Sequence, residues 1–98
     1  MTGAELIAAE RERQVYGEGY TAEHDAAAGD HVLTRAAECY LCWADALTAD
    51  DADTIPRDEV AAGIWPWGMS DWKPSDDPIR NLVKAGALIA AEIDRLQA

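Results

Sequence analysis

Two stretches of this chain repeat apolar residues every three to four positions, and they constrain the fold more than any other feature. In the first, Val32, Leu33, Ala36, Ala37, Tyr40, Leu41, Ala44 and Leu47 share one side of a helix. In the second, Ile79, Leu82, Val83, Gly86, Ile89, Ala90, Ile93 and Leu96 form a continuous stripe. Ala dominates the apolar set, and Ala is the best helix former. The β-branched residues are few and scattered, which argues against a sheet. The expected fold is all-α: a single domain over residues 1–98, a small bundle of three main helices plus a short one.

Punctuation residues set the boundaries. Thr2 and Glu5 have capping-box spacing, so a helix is expected from Gly3 to Val15 or Tyr16, stopped by Gly17-Glu18-Gly19. Its apolar face is thin, with Leu6, Ile7 and Val15. Tyr20 to Asp30 reads as a loop in which Thr21 caps a single turn, and Asp30 reads as N-cap of the second main helix, ending at Leu47 or Ala49. Thr48 to Asp53 reads as an acidic surface linker. Pro56 to Ala62 suits a short helix ended by Gly63. Asp77-Pro78 opens the last helix as N-cap and first-turn proline. Gly86 costs that helix about 1 kcal/mol relative to Ala, which predicts close backbone contact there, with the second main helix as the expected partner.

Between the short and last helices, Ile64-Trp65-Pro66-Trp67-Gly68-Met69-Ser70-Asp71-Trp72-Lys73-Pro74 places three of the four tryptophans within eight residues. Prolines exclude it from a helix interior or a central strand. It is expected to cross one end of the bundle. Each indole either fills core or presents a stacking face.

The formal net charge of −11 repels phosphate backbones, so direct binding to DNA or RNA is not expected. Solubility and nucleic-acid mimicry both account for the acidity. The opening residues are polar and charged, and the longest aliphatic run, Ala85 to Ala91, is too short to span a bilayer, so a cytoplasmic protein without a membrane partner is expected. Cys39 and Cys42 are spaced C-x-x-C inside a helical pattern. That favours buried reduced thiols over a redox pair, or over a zinc site completed by His24 and His31.

Three constellations can carry chemistry. Glu23-His24-Asp25 is either a capped loop or a ligand or metal site. Glu10 and Gln14 lie one helical turn apart, either on a solvated face or lining a pocket between helices. Arg80 and Lys84, one turn apart, join Lys73 as the basic cluster of the second half. They either pair with Asp71, Asp76 and Asp77 or hold a phosphate near the helix N-terminus, with a tryptophan face for a base.

Glu10-Arg11-Glu12-Arg13-Gln14, Glu18-Gly19-Tyr20-Thr21-Ala22-Glu23-His24-Asp25, Trp65-Pro66-Trp67, Trp72-Lys73-Pro74 and Arg80-Asn81-Leu82-Val83-Lys84-Ala85-Gly86-Ala87-Leu88-Ile89 together resemble a family of small, uncharacterised phage and prophage proteins. Members of that family carry a second acidic residue and a second His after the His-Asp pair, where this chain has Ala26 and Ala28. More distantly, the layout resembles MazG-like all-α NTP pyrophosphatases. Those enzymes hold Mg²⁺ with Glu-x-x-Glu and Glu-x-x-Asp pairs, spacings absent from this chain. The resemblance implies a phage-type protein, sited in the host cytoplasm.

Three functions follow as expectations. The first is binding of a nucleotide or small phosphorylated ligand without catalysis or a required cofactor, sequestering a host-defence signal. Its expected residues are Glu10, Gln14, Tyr20, His24, Asp25, Trp65, Trp67, Trp72, Lys73, Arg80 and Lys84. The second is a Mg²⁺-dependent MazG-like nucleotide hydrolase using Glu23, His24, Asp25 and Glu38. The third is an acidic inhibitor of a host protein, marked by Asp50, Asp51, Asp53, Asp58 and Glu59. Self-association is expected of so small a core.

Overall fold

The computed structural model describes residues 1–49 and 55–98. Five α-helices occur among them: α1 Gly3–Gly17, α2 Ala22–Ala28, α3 Val32–Thr48, α4 Arg57–Ala61 and α5 Pro78–Gln97, with one 3₁₀ turn at Met69–Asp71. No strand occurs among the described residues. The all-α expectation holds. α3 and α5 form the central pair, and α1 packs on α5.

Local chemistry explains most of the boundaries. The capping box of α1 is formed in both directions, with the Thr2 N–H donating to Glu5 Oε1 at 3.0 Å and the Glu5 N–H donating to Thr2 Oγ1 at 3.2 Å. Asp77 accepts from the Ile79 N–H at 2.9 Å and starts α5. Two expectations fail here. The segment after Tyr20 holds α2, a seven-residue helix capped by Thr21, where a loop was expected. Its alanines satisfy helix propensity without an apolar period to announce it. Asp30 does not cap α3. That position belongs to His31, held left-handed at φ 73°, while the Asp30 carboxylate reaches Arg95 at 3.1 Å. Most of the expected acidic linker, residues 50–54, lies outside the described residues.

The core is assembled from small faces. α3 buries Leu33, Ala36, Cys39, Tyr40 and Trp43, and α5 meets it with Ala85, Leu88 and Ala91. The stripe expected to be the core face of α5 is mostly outside. Ile79, Leu82, Ile89, Ile93 and Leu96 are 45–68% exposed. α5 has two apolar faces, and the alanine-rich one is buried because it lets the neighbouring helices come close. Leu41 of α3 is likewise exposed. The close approach at Gly86 is real but involves α1: a Cβ on Gly86 would lie 2.6 Å from Ile7 Cδ1. Of the two thiols, Cys39 is buried and Cys42 exposed, both free, so the expectation of two buried thiols holds for one.

The tryptophan segment contacts the middle of α3 through Tyr40 and Trp43 and the first turns of α5 through Asn81 and Lys84. Trp72 is core, in contact with Tyr40 at a 4.8 Å centroid distance. Trp43 Nε1 donates to the Ser75 carbonyl at 3.0 Å. Asn81, fully buried, accepts from the Ser75 N–H at 2.9 Å and donates to the Ser75 and Asp77 carbonyls. These bonds pin the irregular segment to both helices and satisfy its backbone groups.

Candidate functional site

α1 is unusual in what it buries. Its buried residues are Glu10 and Gln14, one turn apart, and both face α5. A carboxylate at 2% exposure requires compensation. It comes from two guanidiniums. Arg13 reaches Glu10 through Nε to Oε1 at 2.8 Å and through its terminal nitrogen to Oε2 at 2.8 Å; Arg80 reaches Oε1 at 2.7 Å. Burial pushes the Glu10 carboxyl up, but these hydrogen bonds and charges outweigh it and hold its pKa below the usual value. Arg80 is thus tied to Glu10, not to the Asp71, Asp76 and Asp77 group expected as its alternative.

Above this triad lies a cleft walled by aromatic rings. Tyr20, Tyr40, Trp65 and Trp67 line it, together with the polar side chains of Gln14, Lys84, Lys73, Glu18 and Asp71. The rings form a continuous run: Trp65 meets Tyr40 edge-on at 5.7 Å and Trp67 edge-on at 5.4 Å, and Trp67 meets Tyr20 at 5.3 Å. His24 extends the run, stacked on Tyr20 at 4.8 Å and 9°. Burial pushes the hydroxyl pKa of both Tyr20 and Tyr40 up to about 12. The inner cleft holds about 30 Å³, and an adjoining recess of about 210 Å³ is bounded by Glu18, Tyr20, His24, Trp67 and Asp71. The inner part has room for about two waters. The recess is bordered by the rings of Tyr20, His24 and Trp67 and by the carboxylates of Glu18 and Asp71.

The cations are placed by backbone. Lys84 Nζ donates to the Lys73 carbonyl at 2.7 Å and lies 5.3 Å from the centre of the Tyr40 ring. Burial, and then the neighbouring Arg80, pushes its pKa below the ordinary range. Lys73 Nζ lies 3.8 Å from Glu18, and the Lys73 N–H donates to the Tyr40 hydroxyl at 3.4 Å.

Seven of the expected ligand residues meet at the cleft: Glu10, Gln14, Tyr20, Trp65, Trp67, Lys73 and Lys84. His24 bounds the recess. Three do not line either space. Trp72 is spent on packing. Arg80 acts through Glu10 and faces a separate groove of about 340 Å³ beside Leu6 and Ile79. Asp25 is buried behind His24, where it meets His24 Nδ1 at 3.2 Å and accepts from Arg11 at 2.7 Å. It orients the ring instead of touching the recess. Among the described residues, no group of three His, Cys, Asp or Glu side chains is gathered for a metal ion. The hydrolase set Glu23, His24, Asp25 and Glu38 is therefore not assembled as a cation site, nor are the two thiols with the histidines.

Arg13, Glu18, Tyr40 and Asp71 also line the cleft without having been singled out. Arg13 was legible as the i,i+3 partner of Glu10, and Tyr40 as the one hydroxyl in an apolar stripe. Asp71 was marked only as an ion-pair partner for the cations of the second half, and nothing in the sequence marks Glu18. Scans against protein-family models, curated proteins and solved structures gave no match. No helix among the described residues is long and apolar enough to cross a membrane.

Proposed function

We propose that this protein binds a small nucleotide-like ligand in the aromatic cleft and recess and does not transform it. The observation that carries this reading is the meeting of ring faces and cations in a strongly acidic chain. Four of the eight Lys and Arg residues (Arg13, Lys73, Arg80 and Lys84) gather at the cleft or at the triad beneath it. Rings supply stacking for a base, and the ammonium groups supply donors for a phosphate or ribose. The buried carboxylate favours binding over proton transfer. Glu10 is held ionised by two guanidiniums, which makes it a poor base and a good structural anchor. A role in sequestering a nucleotide signal inside a phage-infected host fits this reading and the phage-family resemblance. A thermal-shift screen of mono-, di- and cyclic nucleotides, with and without Mg²⁺, tests it. Stabilisation by a nucleotide without Mg²⁺ supports the proposal. Absence of a shift with every nucleotide rejects it, and Mg²⁺-dependent consumption of a triphosphate would install the MazG-like hydrolase in its place.

The acidic-inhibitor reading has less to stand on. Asp58 and Glu59 are exposed on α4, but Asp50, Asp51 and Asp53 lie outside the described residues. For self-association we propose the exposed α5 stripe as the contact with a second copy. Its five large aliphatic residues sit on one uncharged side of a 20-residue helix, so two copies could meet there without opposing their acidic surfaces.

A further inference from the structure

The chain of hydrogen bonds beneath the cleft fixes which way the amide of Gln14 points. Both oxygens of Glu10 receive guanidinium donors, so this ionised carboxylate can only accept. Gln14 Nε2 lies 3.4 Å from Glu10 Oε2 and donates to it. Turning the amide over would set its oxygen against a carboxylate oxygen, so the NH₂ stays on the Glu10 side. Gln14 belongs to the lining of the aromatic cleft, and its carbonyl oxygen, on the side of the amide away from Glu10, is buried and has no donor. The side chain is 3% exposed. A buried acceptor without a donor carries a desolvation penalty, so the site favours whatever brings an N–H or O–H to it.

Lys84, in the lining of the same cleft, adds the complement. Its ammonium carries three donors, and one is given to the Lys73 carbonyl. The inner cleft thus has in its lining one unpaired acceptor and an ammonium with spare donors, together with aromatic rings, in a space too small for a whole base.

We infer that the cleft reads the edge of a base carrying an exocyclic amino group, as in a 6-aminopurine or a 4-aminopyrimidine. The amino N–H donates to Gln14 Oε1, and the adjacent unprotonated ring nitrogen accepts from Lys84. The body of the base lies in the outer recess against Tyr20, His24 and Trp67. This rests on the nucleotide reading above and adds the recognition rule. A 6-oxo or 4-oxo base reverses the pattern, placing a carbonyl oxygen against the Gln14 oxygen and a ring N–H against an ammonium.

Isothermal titration of the wild-type protein with the pairs AMP and IMP, and CMP and UMP, tests the rule without depending on any variant's folding. The amino member of at least one pair is expected to bind ten-fold or more tighter than its oxo partner. In Gln14→Met the affinity for that member is expected to fall to near that of the oxo partner. Equal binding within each pair, or preference for the oxo member, overturns the inference and leaves the nucleotide reading standing. A ten-fold amino preference that survives in folded Gln14→Met overturns the assignment to Gln14. Binding of none of the four overturns this inference, while the nucleotide reading stands or falls with the wider thermal-shift screen.

Discussion

Arg80→Met is expected to destabilise the protein more than Glu10→Leu, although both break the same ion pair. The difference lies in what is left behind. Removing Arg80 strands a carboxylate whose side chain is 1% exposed and which then keeps Arg13 as its one cationic partner. Removing Glu10 strands two guanidiniums whose side chains are 38% and 43% exposed. Both can turn to water, and Arg13 keeps Glu18 at 3.1 Å. Stranding a buried charge outright costs about 3–5 kcal/mol. The surviving two-point contact with Arg13 and the partial exposure of Arg80 reduce this to about 1–2 kcal/mol, a fall in Tm of about 5–15 °C for a domain of this size. Glu10→Leu keeps apolar volume at a buried position and is expected to cost under about 1 kcal/mol. The double variant should resemble Glu10→Leu alone. The sign with pH follows. Wild-type Glu10 has a pKa lowered from 4.5, so its stabilising contribution is present above 4.5 and is lost as pH falls through the folded-state value. That acid limb should vanish in Glu10→Leu and shrink in Arg80→Met. Urea melts of the four proteins at pH 7 and pH 3.5 check all of this. A Glu10→Leu protein less stable at pH 7 than Arg80→Met would refute the reasoning.

Further outcomes can be measured independently. Trp72→Ala should cost about 3–5 kcal/mol by cavity formation, read by denaturant melts, whereas Trp67→Ala should leave the fold intact and weaken nucleotide binding. Burial pushes the Cys39 thiol from 9.0 to about 11 and the Tyr20 and Tyr40 hydroxyls from 10.0 to about 12. Folded values above the unfolded ones mean that stability is intact below about pH 9 and falls as pH rises toward 12, checked by alkaline melts. At pH 8 a thiol reagent should modify Cys42 in the native protein and Cys39 only on unfolding. Ile89→Glu, on the exposed α5 stripe, should change stability by no more than about 0.5 kcal/mol while lowering the sedimentation coefficient of any self-associated form.

Helix existence was legible wherever a cap coincided with a period, as at Thr2-Glu5 and Asp77-Pro78. Which face of α5 goes inward was not, because the helix is apolar on two sides and periodicity cannot rank them. Burial went to the alanines, whose short side chains let backbones approach, and the isoleucines stayed outside. α2 was missed because seven residues with four alanines carry propensity without pattern. The site was half legible. Glu10 and Gln14 were marked by their spacing, yet a polar pair on a charged helix looks the same whether it faces water or a pocket. Only Arg80, 70 residues away along the chain in α5, decides it. The roles of Trp65, Trp67 and Trp72 could not be separated from sequence, since all three are large rings on one irregular segment.

The buried face of α1 has a consequence for how binding and folding are linked. A helix docked by leucines can slide or loosen gradually. α1 meets α5 through the Glu10–Arg80 pair, the Arg11–Asp94 pair at 4.0 Å and the notch between Ile7 and Gly86, and these fit together in one register. It is also the floor of the cleft. Detachment of α1 and emptying of the cleft are then two sides of a single equilibrium. A ligand that fills the cleft slows hydrogen exchange along residues 3–17, and a change that loosens α1 weakens the ligand by the same factor.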